Sequence, residues 1–282
     1  MKLELGYKMV LFRGGDRMIS TGKVFKKSII SVSNIPGVDF TINPYVGCPH
    51  KCVYCYAEYI KQHTDHTEDW GDFVDVKVCH SRLPYRKIQG KTVVMSSATD
   101  CYNPFEASME ATREVLEDMV FSQCDFNLMV LTKGHLVVRD IDLLVKLRAK
   151  VGISMNTLDD SFRAISEPRA SPVAQRIDAL QALREAGLDT WIFVSPVFPA
   201  ITDFRSIVEA TYPWTCRYGF ENLKLKWPYK SRVLQMIWDH RPDLIPLYRR
   251  IFLDEDRSHW NGLSREIRSY CGGRKIDFDV YF

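Results

Sequence analysis

Three cysteines, Cys48, Cys52 and Cys55, fall within eight residues of the stretch NPYVGCPHKCVYCYAEYI, residues 43–60. The spacing C-x3-C-x2-C lets one tight loop aim three thiolates at a single inorganic centre. Iron–sulfur clusters are held by Cys thiolates, usually four. With three, one iron keeps an open position for a substrate or cofactor, much as three-ligand zinc enzymes keep one for chemistry. A structural zinc site is the alternative, and it asks for a fourth ligand. His50 lies too close in sequence to Cys48 and Cys52 to share a tetrahedral site comfortably with both. Cys79, Cys101, Cys124, Cys216 and Cys271 are isolated and form no second C-x2-C pair.

Such a loop needs a scaffold, and the chain around it alternates strand and helix patterns. Apolar runs predict strands at 38–42, 92–98, 126–132, 151–155, 190–197 and 223–227, with helices expected at 57–62, 106–121, 140–150, 172–186, 203–211 and 231–240. Asp140 is read as a helix start and Gly187 as a helix end. Six strand–helix units in a row imply a parallel sheet covered by helices, either an open sheet or a full or partial barrel. In both, chemistry sits in the loops after the strands. The cysteine loop follows the first strand. The domain reading is an N-terminal extension over 1–37, a core over 38–240 and a C-terminal appendage over 241–282.

The 282 residues are 46% hydrophobic and 26% charged, a globular composition with enough length for a sizeable core. No run approaches the roughly 18–20 apolar residues of a membrane helix. The first twenty residues interrupt every apolar run with a charge or glycine, so no secretory signal is expected. Eight cysteines without such a signal point to reduced thiols in the cytoplasm rather than a disulfide framework.

The ordered motifs CPHKCVYCYA, SSATD, LTK, GISMNT, EPRASPVAQRIDAL and VSPVFPAITD, over roughly residues 43–203, resemble the radical S-adenosylmethionine (SAM) superfamily. Within it they resemble the spore photoproduct lyase-like, or DNA-repair-photolyase-like, branch, with a nearer likeness to the paired radical SAM proteins of mobile elements. The resemblance implies a partial (β/α)6 barrel with a C-terminal appendage. It implies a 4Fe–4S cluster on Cys48, Cys52 and Cys55, with SAM chelating the fourth iron. Cleavage of SAM to methionine and a 5′-deoxyadenosyl radical would follow, the radical abstracting hydrogen from a substrate. An external one-electron donor, flavodoxin- or ferredoxin-like, is expected with it.

Residue by residue, the resemblance puts Lys133 and Ser154 near the SAM carboxylate, with Arg169 a further candidate and Tyr54 lining the adenine. Lys133 read blandly is a solvated strand-end lysine, and Arg169 a loop arginine pairing with Glu167. Ser97, counted with the cofactor-lining residues, stands where the lyase carries a hydrogen-donating cysteine. A serine O–H bond is too strong for that role. Cys101 lies four residues on and is the substitute candidate; its bland reading is a buried small hydrophobe. Tyr54 and Tyr56 match the tyrosines of the lyase's hydrogen relay. The lyase reaction is therefore not carried over, and the substrate stays open between DNA or RNA and a peptide or protein. A non-catalytic, metal-containing nucleic-acid-binding protein is the third reading.

Charge bears on that choice. The chain is only +3 overall, but residues 223–275 hold twelve Lys and Arg against six Asp and Glu. There Trp227, Tyr229, Trp238 and Tyr248 interleave with basic residues, which suits phosphate contacts and base stacking. The competing reading is a helix core face at Val233, Ile237 and Trp238. His63 and His66 in HTDHTEDW are expected in a solvated loop.

Overall fold

The computed structural model describes residues 8–10, 19–80 and 83–282. The reading of the extreme N-terminus therefore lies largely outside the described residues. Strand follows helix as the apolar runs require. The strands Phe40–Ile42, Thr92–Met95, Asn127–Thr132, Lys150–Ser154, Asp189–Val197 and Arg217–Asn222 lie side by side in chain order, all parallel. One row across the sheet reads Ile42, Met95, Val130, Val151 and Thr190. All five are buried, because helices cover the outer face and the barrel interior closes over the other. The sheet does not close: Ile30–Val32 lies on one edge, antiparallel to the first strand. This is the partial barrel.

The appendage returns to the sheet. After the helices Ile245–Phe252 and Ser258–Gly273, the strand Phe278–Val280 pairs in parallel with Arg217–Asn222 and forms the other edge. Among the described residues no helix is long and apolar enough to cross a membrane.

Several elements depart from the sequence reading. The sixth strand is Arg217–Asn222, not 223–227, which forms the loop after it. Tyr218, Gly219 and Phe220 are its buried residues, and the leucines of LKLKW, at 223 and 225, fall out of phase with Tyr218 and Phe220. The helix expected over 106–121 breaks at Glu110, whose φ is +50°. Buried Glu106 there accepts hydrogen bonds from the backbone N–H of Thr112 at 2.9 Å and of Arg113 at 3.2 Å, starting a second helix, Ala111–Ser122. Asp140 does not cap its helix through its side chain; it takes Arg113 and Arg139 instead. Gly187, at φ +83°, does follow the helix Val173–Glu185.

A second sheet went unread. Ile19–Lys26 runs parallel to Phe73–Cys79, and the latter pairs antiparallel with the two residues Tyr45–Val46 that lead into the cysteine loop. The alternating FVDVKVC is its signal. The segment before it is not a solvated loop throughout: the His66 side chain is buried, stacked on Phe73, with Nδ1 at 3.0 Å from Glu68 and Nε2 at 2.8 Å from Asp75.

Candidate active site

The cysteine loop leaves the first barrel strand through Asn43 and is pinned by the Tyr45–Val46 pairing. Gly47 then turns at φ +81°, and a Cβ there would lie 2.4 Å from the Phe73 carbonyl oxygen, so only glycine fits. Thr99 donates its hydroxyl to the Gly47 carbonyl at 2.6 Å. Farther on, the Val53 N–H bonds to the Ser166 carbonyl at 2.9 Å, and the Arg169 N–H to the His50 carbonyl at 3.3 Å. The loop is thus stitched to the second sheet, to the post-strand loop at 96–100 and to the segment around EPR.

Cys48 is buried, and Cys52 and Cys55 are half-buried. Burial pushes the Cys48 thiol up to about 12, with the charges of Asp100 and Cys55 adding to it. Burial also raises Cys52 well above the ordinary thiol value, opposed by the charge of Lys133 and reinforced by Glu167. Cys55 is raised by burial and eased by the Trp70 indole, which donates to its Sγ at 3.2 Å. These thiols stay protonated near neutrality unless a metal draws the protons off. Among the described residues no three His, Cys, Asp or Glu side chains converge closely enough to hold one metal ion. A cubane cluster asks for something else, because each thiolate binds its own iron. The His50 ring is engaged elsewhere, its Nδ1 3.3 Å from the Asp100 carboxylate.

Lys133 and Ser154 follow Thr132 and Ile153, which pair across adjacent strands, so the two arrive together at the C-terminal edge of the barrel. Among the described residues the Lys133 ammonium has no ion pair and no hydrogen bond. It lies 5.8 Å over the Tyr54 ring. Burial would lower its pKa, but Cys52, Glu167 and Asp100 outweigh that and hold it at about 12, so it is fully charged. The Ser154 hydroxyl makes only a long contact, 3.5 Å, to the Ser195 carbonyl.

Behind Tyr54 lies a buried network of residues from the GISMNT and EPRASPVAQRIDAL segments, which no local spacing marks as a unit. The Tyr54 hydroxyl donates to Glu167, Asn156 Nδ2 donates to Glu167 at 3.2 Å, and Arg176 reaches Glu167 at 2.5 Å. Arg176 also donates to the Ser154 carbonyl at 3.0 Å. Among the described residues, Asn156 Oδ1 is buried with no partner. It is Nδ2, 3.3 Å from the Tyr54 hydroxyl, that is turned toward Tyr54, and the oxygen is left as an unmet acceptor.

The other candidates separate. Arg169 forks onto Asp72 at 3.2 Å and donates to the Gly71 carbonyl at 2.7 Å, so its guanidinium is committed to the second sheet's approach segment, and Glu167 takes Arg176 instead. Tyr56 donates to the Ser97 carbonyl, and the Ser97 hydroxyl accepts from Asn43 Nδ2 at 3.0 Å. Those two are brought together beside the cysteine loop. Cys101 is 0% exposed within the main apolar core. Its backbone N–H donates to the Ser96 hydroxyl at 2.9 Å and its carbonyl accepts from the Thr112 hydroxyl at 2.6 Å.

A family model described as the radical SAM superfamily matches residues 42–209. The chain belongs to the radical SAM superfamily. An uncharacterized protein of Methanocaldococcus jannaschii is 36% identical over 206 residues, covering 72% of this chain and 78% of that protein. An uncharacterized protein of Mycobacterium bovis is 29% identical over 246 residues, covering 80% and 72%. Spore photoproduct lyase complexed with dinucleoside spore photoproduct superposes with TM-score 0.59 at 14% identity, over 78% of this chain and 67% of that one. That likeness is one of fold. Membership supports a radical SAM enzyme, and members of the family typically bind a 4Fe–4S cluster and SAM.

Proposed function

We propose that this protein cleaves SAM reductively at a 4Fe–4S cluster held by Cys48, Cys52 and Cys55, and that its substrate is a nucleic acid strand. The observation that carries the first half is the fully charged Lys133, without an ion pair among the described residues, beside one buried and two half-buried thiols. A cation with no anionic partner among the described residues, in a half-buried site, calls for an anionic group, and the SAM carboxylate is one. Held by Cys48, Cys52 and Cys55, a 4Fe–4S cluster would supply the single electron that reductive cleavage of SAM to methionine and a 5′-deoxyadenosyl radical requires. The protein's own residues bind and orient. Lys133 and Ser154 hold the carboxylate end, Asn156 Oδ1 accepts from an N–H group of the ligand, and Tyr54 stays rigid because Glu167 anchors its hydroxyl. Arg169, held by Asp72, fixes the loop instead of the ligand. Tyr56 and Ser97 line the approach. An external flavodoxin- or ferredoxin-like protein delivers the electron.

Support for nucleic acid comes from the loop after the sixth strand. Trp227 is 87% exposed there. Lys226 and Lys230 flank it, and neither has an acidic partner among the described residues. The loop is fixed beside the cysteine loop: Arg232 forks onto Glu58 at 2.6 and 3.0 Å, and Glu58 lies between the exposed Tyr56 and Tyr59. Flat exposed rings among unneutralised lysines suit base stacking and phosphate contact. Of the helix core face read at Val233, Ile237 and Trp238, the first two are buried, together with Tyr229 and Tyr248, whereas Trp238 is exposed, as is Trp227.

Anaerobic reconstitution should give about four irons per chain and deoxyadenosine on addition of dithionite and SAM. Absence of deoxyadenosine from a loaded protein would sink the reaction. Fluorescence anisotropy with labelled single-stranded DNA and RNA tests the substrate class separately. Trp227→Ala should weaken binding by roughly fivefold to a hundredfold, the range for one lost stacking contact, with Trp227→Tyr near wild type. No binding of either strand, or equal binding by Trp227→Ala, counts against nucleic acid.

A further inference from the structure

Among the described residues, Trp70 is the one side chain that donates a hydrogen bond to any of the three loop cysteines, its Nε1 lying 3.2 Å from Cys55 Sγ. The indole is 4% exposed and has little freedom to leave. It packs edge-on against Phe73, with ring centroids 5.7 Å apart and planes at 86°. Phe73 is fully buried, stacked on His66 at 3.9 Å, and presses its carbonyl against Gly47 at the entrance of the cysteine loop. Downstream of the indole, Asp72 is tied to Lys51 at 2.6 Å and to Arg169 at 3.2 Å. Trp70, Phe73, Cys48 and Ala57 form a small apolar cluster of their own, joined by Cys55 and Ile60. The segment from His66 to Asp75 therefore does two things at once. It shields the cysteine loop with apolar surface, and it aims one N–H at one sulfur.

We infer that Trp70 tunes the iron–sulfur cluster's reduction potential through its N–H···Sγ bond to Cys55, an inference that rests on the reading of the three cysteines as cluster ligands. Hydrogen bonds to ligand sulfurs stabilise the more negative, reduced form, and so raise the potential. Burial acts the opposite way, because an apolar shell disfavours added negative charge. Trp70 belongs to that shell and relieves it at one sulfur. It is a positioning and tuning residue and touches no substrate atom.

The test is a mediated redox titration followed by electron paramagnetic resonance on anaerobically reconstituted full-length protein. Trp70→Phe keeps an aromatic ring and removes only the donor. Its midpoint should move to more negative potential. At the wild-type midpoint the reduced-to-oxidised ratio should fall roughly fivefold to tenfold, tenfold being about 59 mV for one electron. An unchanged midpoint at equal iron content overturns the inference and leaves the radical SAM reading intact. Should the variant lose iron, the wild-type protein decides by itself. With nitrogen-15 tryptophan, electron–nuclear double resonance of the reduced cluster should show a weak nitrogen coupling and an exchangeable proton. Their absence overturns the inference. A wild type that takes up no cluster at all overturns the reading of the cysteines, and this inference with it.

Discussion

Arg176 and Glu167 meet at 2.5 Å with neither side chain more than 1% exposed. Arg176 also holds the Ser154 carbonyl, and Glu167 holds the Tyr54 hydroxyl. One buried ion pair thus positions a residue on the fourth barrel strand and a residue in the cysteine loop. Removing one partner leaves the other charge uncompensated in the interior. Arg176→Met is expected to cost about 3–5 kcal/mol, read from urea unfolding of the metal-free protein. A loss under about 1 kcal/mol would mean that the pair behaves like a surface one.

The same pair sets a pH dependence. Burial alone would raise Glu167, but Arg176 first and then Lys133 and Tyr54 hold its carboxyl below the ordinary value of 4.5. The unfolded chain therefore takes up that proton more readily than the folded one. The stabilisation is complete above the ordinary carboxylate range and is lost as pH falls through the folded value. Unfolding midpoints should decline from pH 6 toward pH 3, and Glu167→Gln should lower the neutral stability and flatten the decline. An unchanged slope in the variant would assign the acid sensitivity to other carboxylates.

Lys133 lies over the Tyr54 ring of the cysteine loop and, among the described residues, has no anionic partner bonded to it. Lys133→Met should leave iron content unchanged and weaken SAM binding by roughly tenfold to a hundredfold, the worth of one hydrogen bond to a charged group. Equilibrium dialysis of SAM against the reconstituted protein measures this. Wild-type affinity in the variant would return Lys133 to the bland role of a strand-end lysine.

Gly47 allows no side chain, since φ is +81° and the Phe73 carbonyl occupies the Cβ position. Gly47→Ala should destabilise the chain by about 1–3 kcal/mol and reduce the iron retained after desalting. Normal iron content and an unshifted melting temperature would show that the second sheet gives way to the added methyl.

Cys101 is sealed in the core. Cys101→Ala is expected to cost about 1 kcal/mol and to leave deoxyadenosine formation and the product unchanged. A changed product would restore it as a hydrogen-atom donor and would require the 96–101 loop to turn inward. Ser97, already beside Tyr56, is the nearer position for an introduced thiol.

The cysteine spacing, the alternation of apolar strands with helices, and the order of motifs from 43 to 203 were legible in the sequence, because each depends on local periodicity or on residues close in the chain. The partial barrel followed from them, and so did the arrival of Lys133 and Ser154 at one edge, since adjacent parallel strands bring their ends into register. What the tertiary structure decided were pairings between distant segments: Glu167 with Arg176 and Tyr54, Arg169 with Asp72, Trp70 with Cys55, Arg232 with Glu58. No local pattern selects among several equally suitable arginines and carboxylates. The choice is made by which side chains the barrel and the second sheet bury together, where an unpaired charge costs most and each partner must be found.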